Sequence, residues 1–104
     1  MIFRTVLLLA ALMCAGAASA AGKNHQVTID GMKFVPERLE VAVGDTVTWT
    51  NKDIVPHTVT APAARIESGE LAQGKRWKYV AKKKGEIGYV CRLHPGMKAT
   101  LVVK

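Results

Sequence analysis

Between Val27 and Val103 apolar residues return at every second position, in runs too short to be helices. Val27-Thr28-Ile29 is one such run, stopped by Asp30-Gly31. Phe34-Val35-Pro36 reads as extended. Leu39–Val43 alternates and is turned by Gly44-Asp45. Thr46–Thr50 places Val47 and Trp49 on one face, and Asn51-Lys52-Asp53 follows as a turn cluster. Thr58-Val59-Thr60 is a short strand. Lys75–Ala81 sets Trp77 and Tyr79 opposite Arg76 and Lys78. Glu86–Cys91 and Ala99–Val103 complete the series. Only Ala61–Gly74 carries no strand pattern. About eight short strands separated by Gly, Asp and Asn turns describe an antiparallel β-sandwich or barrel. Both tryptophans read as core or strand-surface aromatics.

The first twenty residues do not share this pattern. Arg4 precedes the apolar run Val6–Met13, and small residues lead to Ala18-Ser19-Ala20. A charge, a short apolar stretch and an A-x-A end are the marks of a secretory signal. The run is too short to span a bilayer as a helix. The expected division is a signal peptide over residues 1–20 and one domain over residues 21–104, exported to the periplasm. Residues 21–26 are polar, which predicts a loose terminus with His25 exposed and without a ligand role. A domain this small gains useful stability from a bound metal.

Cysteine usage sharpens the expectation. Of two cysteines in the chain, Cys14 falls in the signal, leaving Cys91 with no disulfide partner. An unpaired thiol in an oxidising compartment is a liability unless it is buried or metal-bound. Cys91 opens the segment Cys91-Arg92-Leu93-His94-Pro95-Gly96-Met97, in which a thiolate, an imidazole and a thioether recur at equal spacing. Each alone has an ordinary structural explanation. Together they form a donor set suited to copper: sulfur ligands favour Cu(I), and imidazole suits both oxidation states. A fourth donor must come from elsewhere, and His57, after Pro56 at the start of a predicted strand, can share one pole of a sandwich with this loop. A structural zinc site is the competing assignment, but such sites use Cys and His without Met. Trigonal Cys and His with a weak axial Met is the ligand set of one-electron transfer sites.

These residues carry a resemblance. Met32-Lys33-Phe34, Leu39–Val43, Gly44–Trp49, Asn51, Asp53, Pro56-His57 and the C-x2-H-x2-M loop are similar to those of the cupredoxins, the blue copper proteins, of plastocyanin/azurin type. The ligand loop resembles that of the amicyanins. The resemblance implies an all-β Greek-key sandwich of eight strands holding one copper ion at one end. His57, Cys91 and His94 would be equatorial ligands and Met97 axial, with His94 exposing its ring edge as the electron exit. It implies a monomeric one-electron carrier, with no catalytic residues, serving redox partner proteins. An envelope copper-binding or copper-delivery protein is the alternative. A copper enzyme would need histidines for a second centre, and only His25 is left unassigned.

Two positions depart from the family. Many relatives have Asn after the upstream ligand His, tying the two ligand segments together. Here Thr58 stands there, which leaves that tie open: its hydroxyl is able to make a similar bond, and its N–H remains available to the Cys91 sulfur. At Leu93 the amicyanins have proline, so the Leu93 N–H becomes a second candidate donor to that sulfur.

Net charge is +7, from 15 Lys and Arg against 8 acids. That suits a partner with an acidic surface, an anionic membrane face or nucleic acid. No nucleic-acid motif accompanies it. Lys75, Arg76, Lys78 and the run Lys82-Lys83-Lys84, with Pro95 in the ligand loop, are the candidate docking residues.

Overall fold

The computed structural model describes residues 22–104. The expected signal segment 1–20 and Cys14 lie outside the described residues.

Among the described residues nine strands form two sheets: β1 Asn24–Asp30, β2 Lys33–Val35, β3 Arg38–Val41, β4 Thr46–Asn51, β5 Thr60–Ala61, β6 Ile66–Glu67, β7 Arg76–Val80, β8 Gly85–Cys91 and β9 His94–Val103. One sheet has the order β2-β1-β4-β7 and the other β3-β9-β8-β5-β6. The sandwich read from the sequence is present. Two of its pairings, β1 with β4 and β3 with β9, are parallel. The segment Ala61–Gly74, which carries no strand pattern, holds a 3-10 turn at Pro62–Ala64 and the two-residue β6.

Alternation places the core as expected. Val27, Ile29, Val47 and Trp49 face inward from one sheet, and Tyr89, Cys91, Ala99, Leu101 and Val103 from the other. Trp49 donates its Nε1–H to the Tyr89 hydroxyl at 3.2 Å. Tyr89 also meets Phe34 edge-on, with ring centroids 4.8 Å apart. Burial pushes the Tyr89 phenol up to about 12 despite the opposing Trp49 hydrogen bond. Trp77 is half-buried and tilted against Trp49 at 5.7 Å. Strand β7 is a sheet edge, and Arg76 and Lys78 are exposed along it. Charges there deter another chain from pairing onto the free backbone.

The expectation of a loose terminus around His25 is corrected. His25 lies within β1, in parallel register with Val47, and is half-buried. Its Nε2 meets Asp45 Oδ2 at 2.8 Å. Asp45 also accepts the N–H groups of Lys23 and Ala42, each at 2.9 Å. The Ala42 N–H and His25 hold the Asp45 carboxyl below its ordinary value of 3.8. A carboxyl depressed on folding contributes stability that is whole above about pH 3.8 and is lost as the pH falls below it. Asp45→Asn should therefore lower the urea midpoint near pH 6, and its deficit against the wild type should shrink as the pH is taken from 4 towards 2. A deficit constant from pH 6 to pH 2 would contradict this assignment.

Candidate metal centre

Strand β8 ends at Cys91, and β9 begins at His94. Their ladder runs in regular register to Val90↔Lys98 and then jumps to Cys91↔His94. Pro95, Gly96 and Met97 are thereby left without partners on β8, and the chain bulges there. Burial along His94–Met97 departs from strict alternation: His94 is half-buried, Pro95 and Gly96 are exposed, and Met97 is buried. The bulge sets His94 opposite Cys91 while returning the Met97 side chain to the interior, where it is 6 % exposed.

His57 comes from the other direction. Its N–H and C=O pair with those of Leu71 at 3.1 and 2.7 Å. Asn51, fully buried at the end of β4, shapes the approach. Its Nδ2 donates to Val55 O at 2.9 Å and Leu71 O at 2.8 Å, and its Oδ1 accepts the Asp53 N–H at 2.9 Å. The buried amide thus satisfies backbone groups that the turn would otherwise leave unpaired.

One donor atom each from His57, Cys91 and His94 lies within 4.8 Å of the others. His57 and Cys91 are fully buried. Sγ and His57 Nδ1 are 3.6 Å apart. Two donors each about 2.0–2.3 Å from a shared ion, at a wide angle, stand roughly that far apart. The His57 and His94 rings meet edge-on at 5.1 Å. The arrangement fits one small, soft-tolerant metal ion.

Asp53 decides which nitrogen His57 offers. Its Oδ2 is 2.8 Å from His57 Nε2. The Met32 N–H is the largest influence holding the Asp53 carboxyl below its ordinary value; burial opposes it, and His57 and the Gly31 N–H assist. An ionised carboxylate only accepts, so it favours the tautomer with the proton on Nε2, which leaves the Nδ1 lone pair to face the sulfur. The same carboxylate takes the N–H groups of Gly31 at 2.7 Å and Met32 at 3.0 Å. Both residues have positive φ, 60° and 62°. That is the backbone of a type I′ turn joining β1 to β2, and it costs Met32 strain that the two hydrogen bonds offset. In the sequence Asp53 reads as a turn residue. Its i, i+4 spacing to His57 was the available signal.

The Thr58 N–H donates to Cys91 Sγ at 3.3 Å. The Thr58 hydroxyl accepts the Arg92 N–H at 2.9 Å, so it does join the two ligand-bearing segments. Leu93 differs from expectation. Among the described residues its N–H makes no hydrogen bond to the sulfur, and the residue is 38 % exposed. Met32, bonded to Asp53, and Ile54 and Val55, in the turn held by Asn51, are exposed apolar residues as well. Pro56 and Pro95 are also exposed.

The candidate docking residues run from the metal end along β7 to the turn before β8. Lys75 lies at the metal end, its C=O accepting the Asn51 N–H at 3.0 Å. Lys82, Lys83 and Lys84 precede β8, which runs from them to Cys91. Seven residues of strand separate that turn from the ligands by roughly 20 Å.

Comparison with known proteins agrees with this geometry. The family model for a cupredoxin-like domain matches residues 3–103. The chain is a member of the cupredoxin family. It is 30% identical over 103 residues to the amicyanin-alpha of Methylorubrum extorquens, covering 90% of this chain and 87% of that one. A solved Cu(I) form of an amicyanin variant superposes with a TM-score of 0.75 at 30% identity, over 84% of this chain and 88% of that chain. The copper-containing nitrite reductase of Thermus scotoductus superposes with a TM-score of 0.73 at 28% identity. That match covers 78% of this cupredoxin but only 22% of the reductase.

Proposed function

We propose that this cupredoxin is an exported one-electron carrier whose single copper ion is held by His57, Cys91 and His94, with Met97 as the weak fourth ligand. The observation that carries the reading is the convergence of three donor atoms at one end of a packed sandwich, with a backbone N–H already on the sulfur. Bound copper supplies a one-electron Cu(II)/Cu(I) couple. The protein's part is to keep the donors still: Asp53 orients His57, the Thr58 N–H stabilises the electron-rich sulfur, and the bulge holds His94 and Met97. Such stiffness suits electron transfer, because little must rearrange when the oxidation state changes.

His94 is the exit. It is the half-buried member of the cluster, beside the apolar rim of Met32, Ile54, Val55 and Leu93. A partner can dock its own apolar surface there. Lys33, Lys52 and Lys75 are exposed around this end and favour acidic groups on that partner. The signal pattern in residues 1–20 supports export to the periplasm. No helix among the described residues is long and apolar enough to cross a membrane.

Carrier and delivery protein differ in what the copper does over time. With one equivalent of copper, the carrier reading expects a reversible one-electron wave and negligible transfer of Cu(I) to a chelating acceptor over many redox cycles. Rapid, complete loss of Cu(I) to the acceptor would favour delivery and overturn it.

A further inference from the structure

Thr58 does not act alone. Thr58 and Thr60 are two residues apart, and their side chains lie on one side of the chain, with Oγ1 atoms 2.8 Å apart. Thr60 stands directly opposite Glu67 in the β5–β6 pairing, and its hydroxyl donates to Glu67 Oε1 at 3.1 Å. The same Oε1 accepts the Arg92 Nε–H at 3.0 Å, while the Arg92 backbone N–H reaches back to Thr58 at 2.9 Å. The hydrogen bonds close into a ring that begins and ends on Arg92, the residue after Cys91. Each hydroxyl has one proton, so the direction is determined. Thr60 gives its proton to Glu67 and must accept from Thr58, which in turn accepts from Arg92. Desolvation opposes ionisation of Glu67, but the Gly69 N–H, Arg92 and the Thr60 hydroxyl outweigh it and hold the carboxyl below its ordinary value. The ring therefore terminates on an anion, and bonds in such a chain reinforce one another.

We infer that Glu67 and Thr60, neither of them a ligand, are positioning residues for the copper site, acting through this ring to fix the Thr58 N–H against the Cys91 sulfur. The inference rests on the copper reading above. The Arg92–Glu67 pair is close to half-exposed on both sides, 45% and 46%, and as a lone surface ion pair would contribute little. Its effect comes from closing a ring whose other members are buried: Thr58 is 0% and Thr60 7% exposed. With the ring open, Thr58 and Arg92 can part, and the hydrogen bond to the sulfur lengthens. The reduced state loses more than the oxidised state, because the sulfur is more electron-rich when the ion is Cu(I).

The test uses the copper-loaded protein with Thr60→Val, Glu67→Gln and Glu67→Ala, with Thr60→Ser as the variant that keeps the hydroxyl. Thr60→Val and Glu67→Ala are expected to reduce the Cu(I)/Cu(II) affinity ratio about threefold, which at 59 mV per tenfold is a fall in potential of about 28 mV. Copper affinity should drop by about tenfold, the lower end of the range for partners that orient ligands. In the metal-free protein, amide exchange at Thr58 and Arg92 should quicken in the same two variants. Thr60→Ser should restore all three readouts, and Glu67→Gln, which keeps an acceptor, should fall between. Potentials equal to the wild type in Thr60→Val and Glu67→Ala, with only a lowered unfolding midpoint, would overturn the inference. A wild-type protein lacking the thiolate–copper absorption would instead overturn the copper reading itself.

Discussion

Cys91→Ser should fold and yet lose both the intense visible absorption and most of the thermal stabilisation that copper gives the wild type. The side chain is fully buried and differs from serine by one atom, and the Thr58 N–H can donate to a hydroxyl as it does to the sulfur. The metal-free variant should therefore unfold near the wild-type temperature. What it lacks is the thiolate, the donor that makes the site soft and gives charge transfer to Cu(II) its intensity. For the wild type, free copper a thousandfold above its dissociation constant stabilises the native state by about 4 kcal/mol. In a domain of this size that raises the melting temperature by roughly 15–30 °C. Cys91→Ser should show a small fraction of that shift, with an EPR signal of ordinary tetragonal copper in place of narrow hyperfine splitting. Retention of the absorption in Cys91→Ser would remove the thiolate from the site and the proposed function with it.

The ligand loop was legible because its information is local. Three donors fall within Cys91–Met97, and the spacing suffices to suggest a single ion. What spacing could not supply was the bulge, since the jump from Val90↔Lys98 to Cys91↔His94 belongs to two strands at once. The same distinction explains the fold. Alternation in Thr46–Thr50 and Lys75–Ala81 gave the inward faces of β4 and β7 correctly. Residues 21–26 read as a loose polar terminus, and Asn24-His25-Gln26 falls within them. In the folded chain that stretch gains a strand's hydrogen bonds from a parallel neighbour twenty-two residues away, Asn24 beside Thr46. Strand β6 is two residues long, below what any periodicity can reveal. Beyond the family resemblance, Asn51 and Asp53 are legible only as turn formers. Their larger roles, shaping the His57 segment and orienting its ring, depend on Leu71, Gly31 and Met32, which chain folding brings to them.

His94→Gly should separate holding the ion from passing the electron. His94 lies directly opposite Cys91 in the β8–β9 pairing, and it is the member of the donor cluster that reaches the surface. Glycine leaves His57, Cys91 and Met97 in place and opens a solvent-facing gap where the imidazole was. Exposed Pro95 and Gly96 beside it offer no obstacle to a small molecule entering. Copper binding should weaken but persist on the remaining donors. Electron self-exchange should fall by about a hundredfold, the order of loss expected when a positioned reacting group is removed. Added imidazole should refill the gap, restore the visible spectrum and recover much of the exchange rate. N-methylimidazole should recover the spectrum less well if the methyl group crowds the rim formed by Leu93, Met32 and Ile54. A different residue would then have to be the exit if His94→Gly exchanged electrons at the wild-type rate without any added ligand. Substitution at Ile54, which is 84 % exposed on the rim, provides the complementary reading. Ile54→Lys should leave the spectrum and potential of the isolated protein nearly unchanged while slowing exchange between two copies, because like charges then face each other across the apolar contact. An unchanged spectrum with slowed exchange in Ile54→Lys, beside a lost and rescued spectrum in His94→Gly, assigns the docking surface and the exit ligand to separate residues of the same pole.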